Sequence, residues 1–181
     1  MNNKPLPIVH DRRELAAGDM LRVEQVELEF PNGERRTYSR MKARGLGAVI
    51  IVPMLDATTV LLAREYAAGL HHYEIGLPKG RLERGESILE AAQREMKEEI
   101  GYGARKLQEL TRLIVLARDL YPEKLEGDEP EEIEVVPWPM ADLHALTARE
   151  DCTEGRTIAA LYIARDYLAA EAVRVDAASR G

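Results

Sequence analysis

Apolar residues recur along residues 21–30, where Leu21, Val23, Val26, Leu28 and Phe30 fall mostly on one side of an extended chain, which predicts a strand. Pro31-Asn32-Gly33 supplies a turn before residues 34–41, so the two runs read as an antiparallel strand pair. Its other face is rich in Glu and Arg, which fits either a solvated hairpin or a pair packed on a second subunit. Residues 48–55 are an unbroken apolar run, and residues 59–66 follow directly after Asp56-Ala57, predicting a second hairpin buried on both faces. From residue 69 to residue 86, Gly69, Gly76, Pro78, Gly80 and Gly85 interrupt any regular period, which predicts a loop.

A helix is expected after Ser87. Its hydroxyl can cap the first turn while Glu90, three residues on, reaches back, and Gly101 stands where a left-handed residue ends a helix. Downstream, residues 107–120 are strand-like, residues 121–132 form an acidic loop with Pro122, Gly127 and Pro130, and residues 133–139 read as a short strand. Residues 157–172 place Ile158, Leu161, Tyr162, Tyr167 and Leu168 at intervals near three and four, the pattern of a helix that closes a core.

Composition narrows the field. At 181 residues and 45% hydrophobic content, the chain suits one well-cored α/β domain. With 25 Lys plus Arg against 32 Asp plus Glu, the net charge of -7 argues against nucleic acid as a partner. A phosphate-bearing small molecule would then need local positive charge, most simply a divalent ion held by the acidic groups themselves. Cys152 is the only cysteine, so an internal disulfide is ruled out. The first residues contain neither an apolar signal core nor a membrane span, and a cytoplasmic enzyme is expected.

The chemistry concentrates in residues 80–102. Gly80, Glu86, Arg94, Glu95, Glu98, Glu99 and Gly101 lie there, and Glu95, Glu98 and Glu99 share roughly a third of the helix circumference. Such crowding of like charge is tolerable either as a solvated acidic face braced by pairs such as Arg94–Glu98, or as a site for a hard cation, Mg²⁺ or Mn²⁺.

Written in full, the segment resembles the Nudix box: glycine, five residues, glutamate, seven residues, Arg-Glu, an apolar residue, any residue, Glu-Glu, any residue, glycine and an apolar residue. The one soft departure is Tyr102, an aromatic where the family usually has an aliphatic residue. The resemblance implies a mixed sheet between helices, an α+β form of the α/β class, and metal-dependent hydrolysis of a diphosphate linkage. Carried over by position, Glu95, Glu98 and Glu99 become metal ligands, Glu86 a further or outer ligand, and the Gly80 carbonyl a neighbour of the ion. Catalysis is assigned to Glu98, Glu95 and Arg94, with Arg94 orienting the carboxylates.

Further stretches, including Leu61 to Tyr66, Tyr73 to Gly76, Asp119 to Glu123, Leu125 to Glu131 and Trp138-Pro139, resemble the branch acting on ADP-ribose and related ADP compounds. That implies ADP-ribose, NADH or diadenosine polyphosphates as substrates, AMP or ADP as products, and a homodimer in which residues 1–46 cross to the partner while residues 47–181 form the hydrolase domain. Arg64 would hold a phosphate by its planar fork, against the plainer reading of a strand end at the surface. Glu74 would sit at the ribose side or be a solvated loop residue. Pro78-Lys79-Gly80 departs from the Pro-Ala-Gly of strict ADP-ribose enzymes and is closer to dinucleoside polyphosphate hydrolases, leaving both substrate types open.

Other features are read more plainly. The acidic residues 126–134 either lend the site another carboxylate or form a solvated loop, the plainer reading; His71 and His72 either face the ligand or lie at the surface, again the plainer reading; Cys152 is expected in a polar region without nucleophilic function. Resembling enzymes have a loop of roughly ten residues between the positions of Leu113 and Ile114. Residues 107–120 show no turn signal, so either the enzyme is shortened here or a segment is absent; one strand of that length is unusual, which favours the absent segment and leaves the general base unassigned. The alternative to an enzyme is a non-catalytic sensor of ADP-ribose or a dinucleotide on the same fold; RNA decapping is disfavoured by the acidic balance.

Overall fold

The chain divides by its internal contacts into two units, Met1–Gly45 and Leu46–Gly181. The structure, a computed structural model, describes residues 4–18, 21–43, 45, 47–127 and 129–179. In the first unit, β1 (Ile8–Ala17), β2 (Leu21–Glu29) and β3 (Arg35–Ala43) form an antiparallel sheet in the order β1-β2-β3. The expected pair is therefore three strands. Strand β1 escapes a search for alternation because its pairing with β2 shifts between Val9 and Asp11 and again between Glu14 and Ala16, so no period of two survives. Every residue of β1 is exposed. Gly33, at φ 82°, makes the turn between β2 and β3.

The second unit holds two sheets. Strands β4 (Ala48–Pro53), β5 (Thr59–Ala67), β6 (His72–Gly76), β7 (Lys79–Arg81), β8 (Tyr102–Thr111), β9 (Ile114–Pro122) and β10 (Glu134–Pro139) sort into a mixed sheet, β7-β4-β9-β8, and a second sheet, β10-β5-β6. Strand β4 runs parallel to β9 and antiparallel to β7, while β5 takes β6 and β10 as antiparallel partners. The expected β4–β5 hairpin does not form. One isolated bridge, Met54 to Val60, joins them, because each strand's hydrogen-bonding edges are already used by neighbours in its own sheet. Strands β6 and β7 also correct the expectation of an irregular segment over residues 69–86: its glycines and prolines flank short paired stretches rather than abolishing them.

Residues 107–120 are not one strand. Thr111 pairs with Ile114 across a two-residue turn in which Leu113 adopts φ 71°, so β8 and β9 are joined directly and the expected further segment is not needed to connect them. Nothing in a leucine announces a left-handed residue.

Three helices flank the sheets: α1 (Ile88–Glu99), α2 (Leu143–Thr147) and α3 (Gly155–Ser179). Alternate residues of β4 divide the core. Ile50 and Val52 pack with Leu143, Leu146, Ala160 and Leu161, whereas Val49 and Ile51 pack with Ala91, Ala92 and Met96. The continuous apolar run thus serves both faces, as a central strand between helix layers requires. Cys152 belongs to this core at 2% exposure, which corrects its assignment to a polar region; burial pushes its thiol pKa up. Among the described residues, no helix is long and apolar enough to cross a membrane.

Candidate active site

Helix α1 is placed by its ends. The Ser87 hydroxyl accepts from the Glu90 N–H at 3.3 Å and the Glu90 carboxylate accepts from the Ser87 N–H at 2.9 Å, a reciprocal cap. Gly101, at φ 73°, follows the last turn. Of the segment's glutamates, Glu95 and Glu99 lie on the same arc of the helix as the fully buried Ala91, Ala92 and Met96 and are themselves buried, meeting β7 at Gly80 and the Lys79 N–H.

Arg94 organises three of them. Its guanidinium grips Glu86 with two parallel bonds, Nε to Oε1 at 2.9 Å and Nη2 to Oε2 at 3.0 Å, while Nη1 donates to Glu95 at 2.8 Å and Glu98 at 2.9 Å. Nη2 also donates to the Arg81 carbonyl at 2.9 Å, tying the helix to β7. These bonds hold the Glu86 carboxyl below its ordinary pKa and raise that of Arg94. Burial pushes the Glu95 pKa up, despite Arg94, with Glu98 and Glu86 adding to the rise.

Glu99 faces a different set. It is 6% exposed, and its carboxylate accepts the Lys79 backbone N–H at 3.0 Å. Oxygens of Glu65, on β5, and Glu129, in the acidic loop, lie with one from Glu99 within 4.8 Å of one another. Among the described residues, these three form the acidic cluster compact enough to share an ion; Glu95 and Glu98 turn to Arg94 instead. Burial, reinforced by the charge on Glu65, pushes the Glu99 pKa up to about 8, with Lys79 pulling the other way. Three carboxylates brought this close, all of them hard oxygen donors, suit a divalent cation such as Mg²⁺ or Mn²⁺.

Gly80 is part of this construction. A Cβ there would stand 1.8 Å from the Glu95 carboxyl carbon, so β7 approaches the helix as only glycine permits. The turn before β7 is anchored from behind by buried Thr157, whose hydroxyl accepts the Leu77 N–H at 3.2 Å.

Glu65 and Glu129 were not singled out from sequence, and Glu129 departs from the expectation that residues 126–134 are merely solvated. Asp128, within that loop, lies outside the described residues. The signal lies in the alternation of β5: Glu65 follows Leu61 and Ala63 on the strand face that packs with Ala91, Ala92 and Met96 of α1. Arg64 pairs with Glu134 at 3.3 Å and lies over the Tyr73 ring, 5.7 Å from its centroid. It borders a cavity of about 240 Å³ that Glu65, Tyr66 and Glu129 also line, contiguous with the acidic cluster. Glu74 accepts a hydrogen bond from Thr153 and lies 3.9 Å from His72, away from Arg94. His71 and His72 are exposed.

The NUDIX domain family model matches residues 45–158, and that of the NudE-type Nudix hydrolase N-terminal domain matches residues 7–40. The chain is 44% identical over 174 residues to ADP compounds hydrolase NudE of Escherichia coli (strain K12), covering 90% of this chain and 93% of that protein. It is 26% identical over 164 residues to ADP-ribose pyrophosphatase of Bacillus subtilis (strain 168), covering 83% and 88%. A crystal structure of an ADP compounds hydrolase superposes with a TM-score of 0.83 at 41% identity, covering 94% of this chain and 98% of the other.

Proposed function

Because the chain belongs to the Nudix hydrolases, we propose that it cleaves the diphosphate linkage of ADP-containing nucleotides, among them ADP-ribose, NADH and diadenosine polyphosphates, in a reaction that requires Mg²⁺ or Mn²⁺. The observation that carries the metal requirement is buried Glu99, one of whose oxygens lies within 4.8 Å of oxygens of Glu65 and Glu129. A divalent ion held there would neutralise the diphosphate and lower the pKa of the attacking water.

The chain's own residues do the rest. Arg94 holds Glu86, Glu95 and Glu98 in place, so the carboxylates need no reorganisation when substrate arrives. Gly80 lets β7 approach Glu95, and the Lys79 N–H fixes one oxygen of Glu99. Arg64, at the mouth of the adjoining cavity, binds a substrate phosphate, exchanging its exposed partner Glu134 for it. Glu74 borders the ribose side. Glu129 belongs to the site as a further carboxylate.

Residues 47–181 carry the chemistry and residues 1–46 mediate association of two copies. The apolar side chains exposed in the first unit support this, Met41 at 75% and Ile8 at 61% among them, as does the family match over residues 7–40. The buried, unpaired Cys152 fits a cytoplasmic protein. The test is chromatography of products from purified protein and Mg²⁺, with ADP-ribose, NADH and diadenosine triphosphate offered separately. Metal-dependent release of AMP or ADP is expected; binding without products would replace the enzyme with a sensor.

A further inference from the structure

The two cations that meet the box glutamates are not alike. Arg94 spreads five hydrogen bonds over Glu86, Glu95, Glu98 and the Arg81 carbonyl, and a planar fork so engaged cannot leave without breaking them together. Among the described residues, the Lys79 ammonium pairs with Glu65, which lies in the compact acidic cluster with Glu99 and Glu129. Its flexible stem is 28% exposed, so its ammonium can swing outward at little cost. A monovalent cation is thus built into the place where the carboxylates most need a divalent one.

We propose that Lys79 is an internal competitor for the metal: its ammonium is paired with Glu65 of the acidic cluster in the metal-free protein and must withdraw when the divalent ion enters. The proposal rests on the metal-dependent reading above. Lys79 is a positioning residue in this account. It sets how tightly the ion is held and keeps the cluster from flying apart before the ion arrives, since a divalent ion and an ammonium in the same cluster repel each other.

Calorimetric titration of the full chain with Mg²⁺ alone, wild type and variant at the same pH, tests it. Lys79→Met should bind Mg²⁺ at least about tenfold tighter than wild type, and its melting temperature should be lower without metal and rise further on saturation. A folded Lys79→Met that binds no tighter overturns the proposal alone. A wild-type protein that takes up no Mg²⁺ overturns the metal-dependent reading and the proposal with it. Should Lys79→Met not fold, Glu65→Gln reads the same coupling: it removes one carboxylate and frees the ammonium for Glu99, so Mg²⁺ affinity should fall at least about tenfold, and an unchanged affinity overturns the proposal.

Discussion

Gly80 and Glu95 occupy the same space: a Cβ on the glycine would lie 1.8 Å from the carboxyl carbon and 1.9 Å from one of its oxygens. The contact explains why β7, where it passes α1, has a glycine at its centre. Gly80→Ala must expel Glu95 from its place and break its 2.8 Å bond to Arg94. Turnover on ADP-ribose should fall at least about a hundredfold, with about 1–3 kcal/mol of stability lost. Steady-state kinetics beside urea denaturation would show it; wild-type kinetics in this variant would mean that Glu95 works equally well elsewhere.

Arg94→Met removes the partner of three carboxylates at once. Glu95, at 8% exposure, is left without its cation, and the expected loss is about 2–4 kcal/mol of folding stability. Arg94→Lys keeps a charge but not the fork over Glu86, so it should fall between wild type and Arg94→Met in both stability and turnover. Equal denaturation midpoints for the two variants would show that the geometry of the guanidinium contributes nothing.

The metal-free protein should lose stability as pH rises. Glu99 has a folded pKa of about 8 against an ordinary value of 4.5, so the folded state keeps a proton that the unfolded chain releases. Its contribution is therefore complete below about pH 4.5 and is lost as pH rises through about 8, at about 1.4 kcal/mol per unit of pKa difference. The raised pKa of Glu95 acts in the same direction. Guanidinium midpoints measured in EDTA should decline across this window, and saturating Mg²⁺ should flatten the decline by holding Glu99 ionised. A midpoint that climbs with pH in EDTA would place Glu99 outside the buried environment described.

The box was legible because its chemistry is written in consecutive residues: Ser87 and Glu90 cap the helix, Gly101 ends it, and the spacing of Glu95, Glu98 and Glu99 follows from the helical repeat alone. Glu65 and Glu129 were not, since they reach Glu99 only after β5 takes its place beside β6 and β10. Local order misled where pairing was remote. Residues 48–66 look like a hairpin until β4 pairs with β7 and β9, and residues 107–120 look like one strand because a leucine, Leu113, makes the turn. Strand β1 lacked the alternation that marked β2, its register being broken twice.

The most direct measurement of the central claim is Mg²⁺-dependent ADP-ribose hydrolysis by Glu99→Gln, with its metal-free melting temperature taken near pH 8. Removing a buried carboxylate should leave the fold at least as stable as wild type. Turnover should fall about a thousandfold, because the ion loses its most buried ligand. A well-folded Glu99→Gln that still hydrolyses ADP-ribose at the wild-type rate would contradict the account.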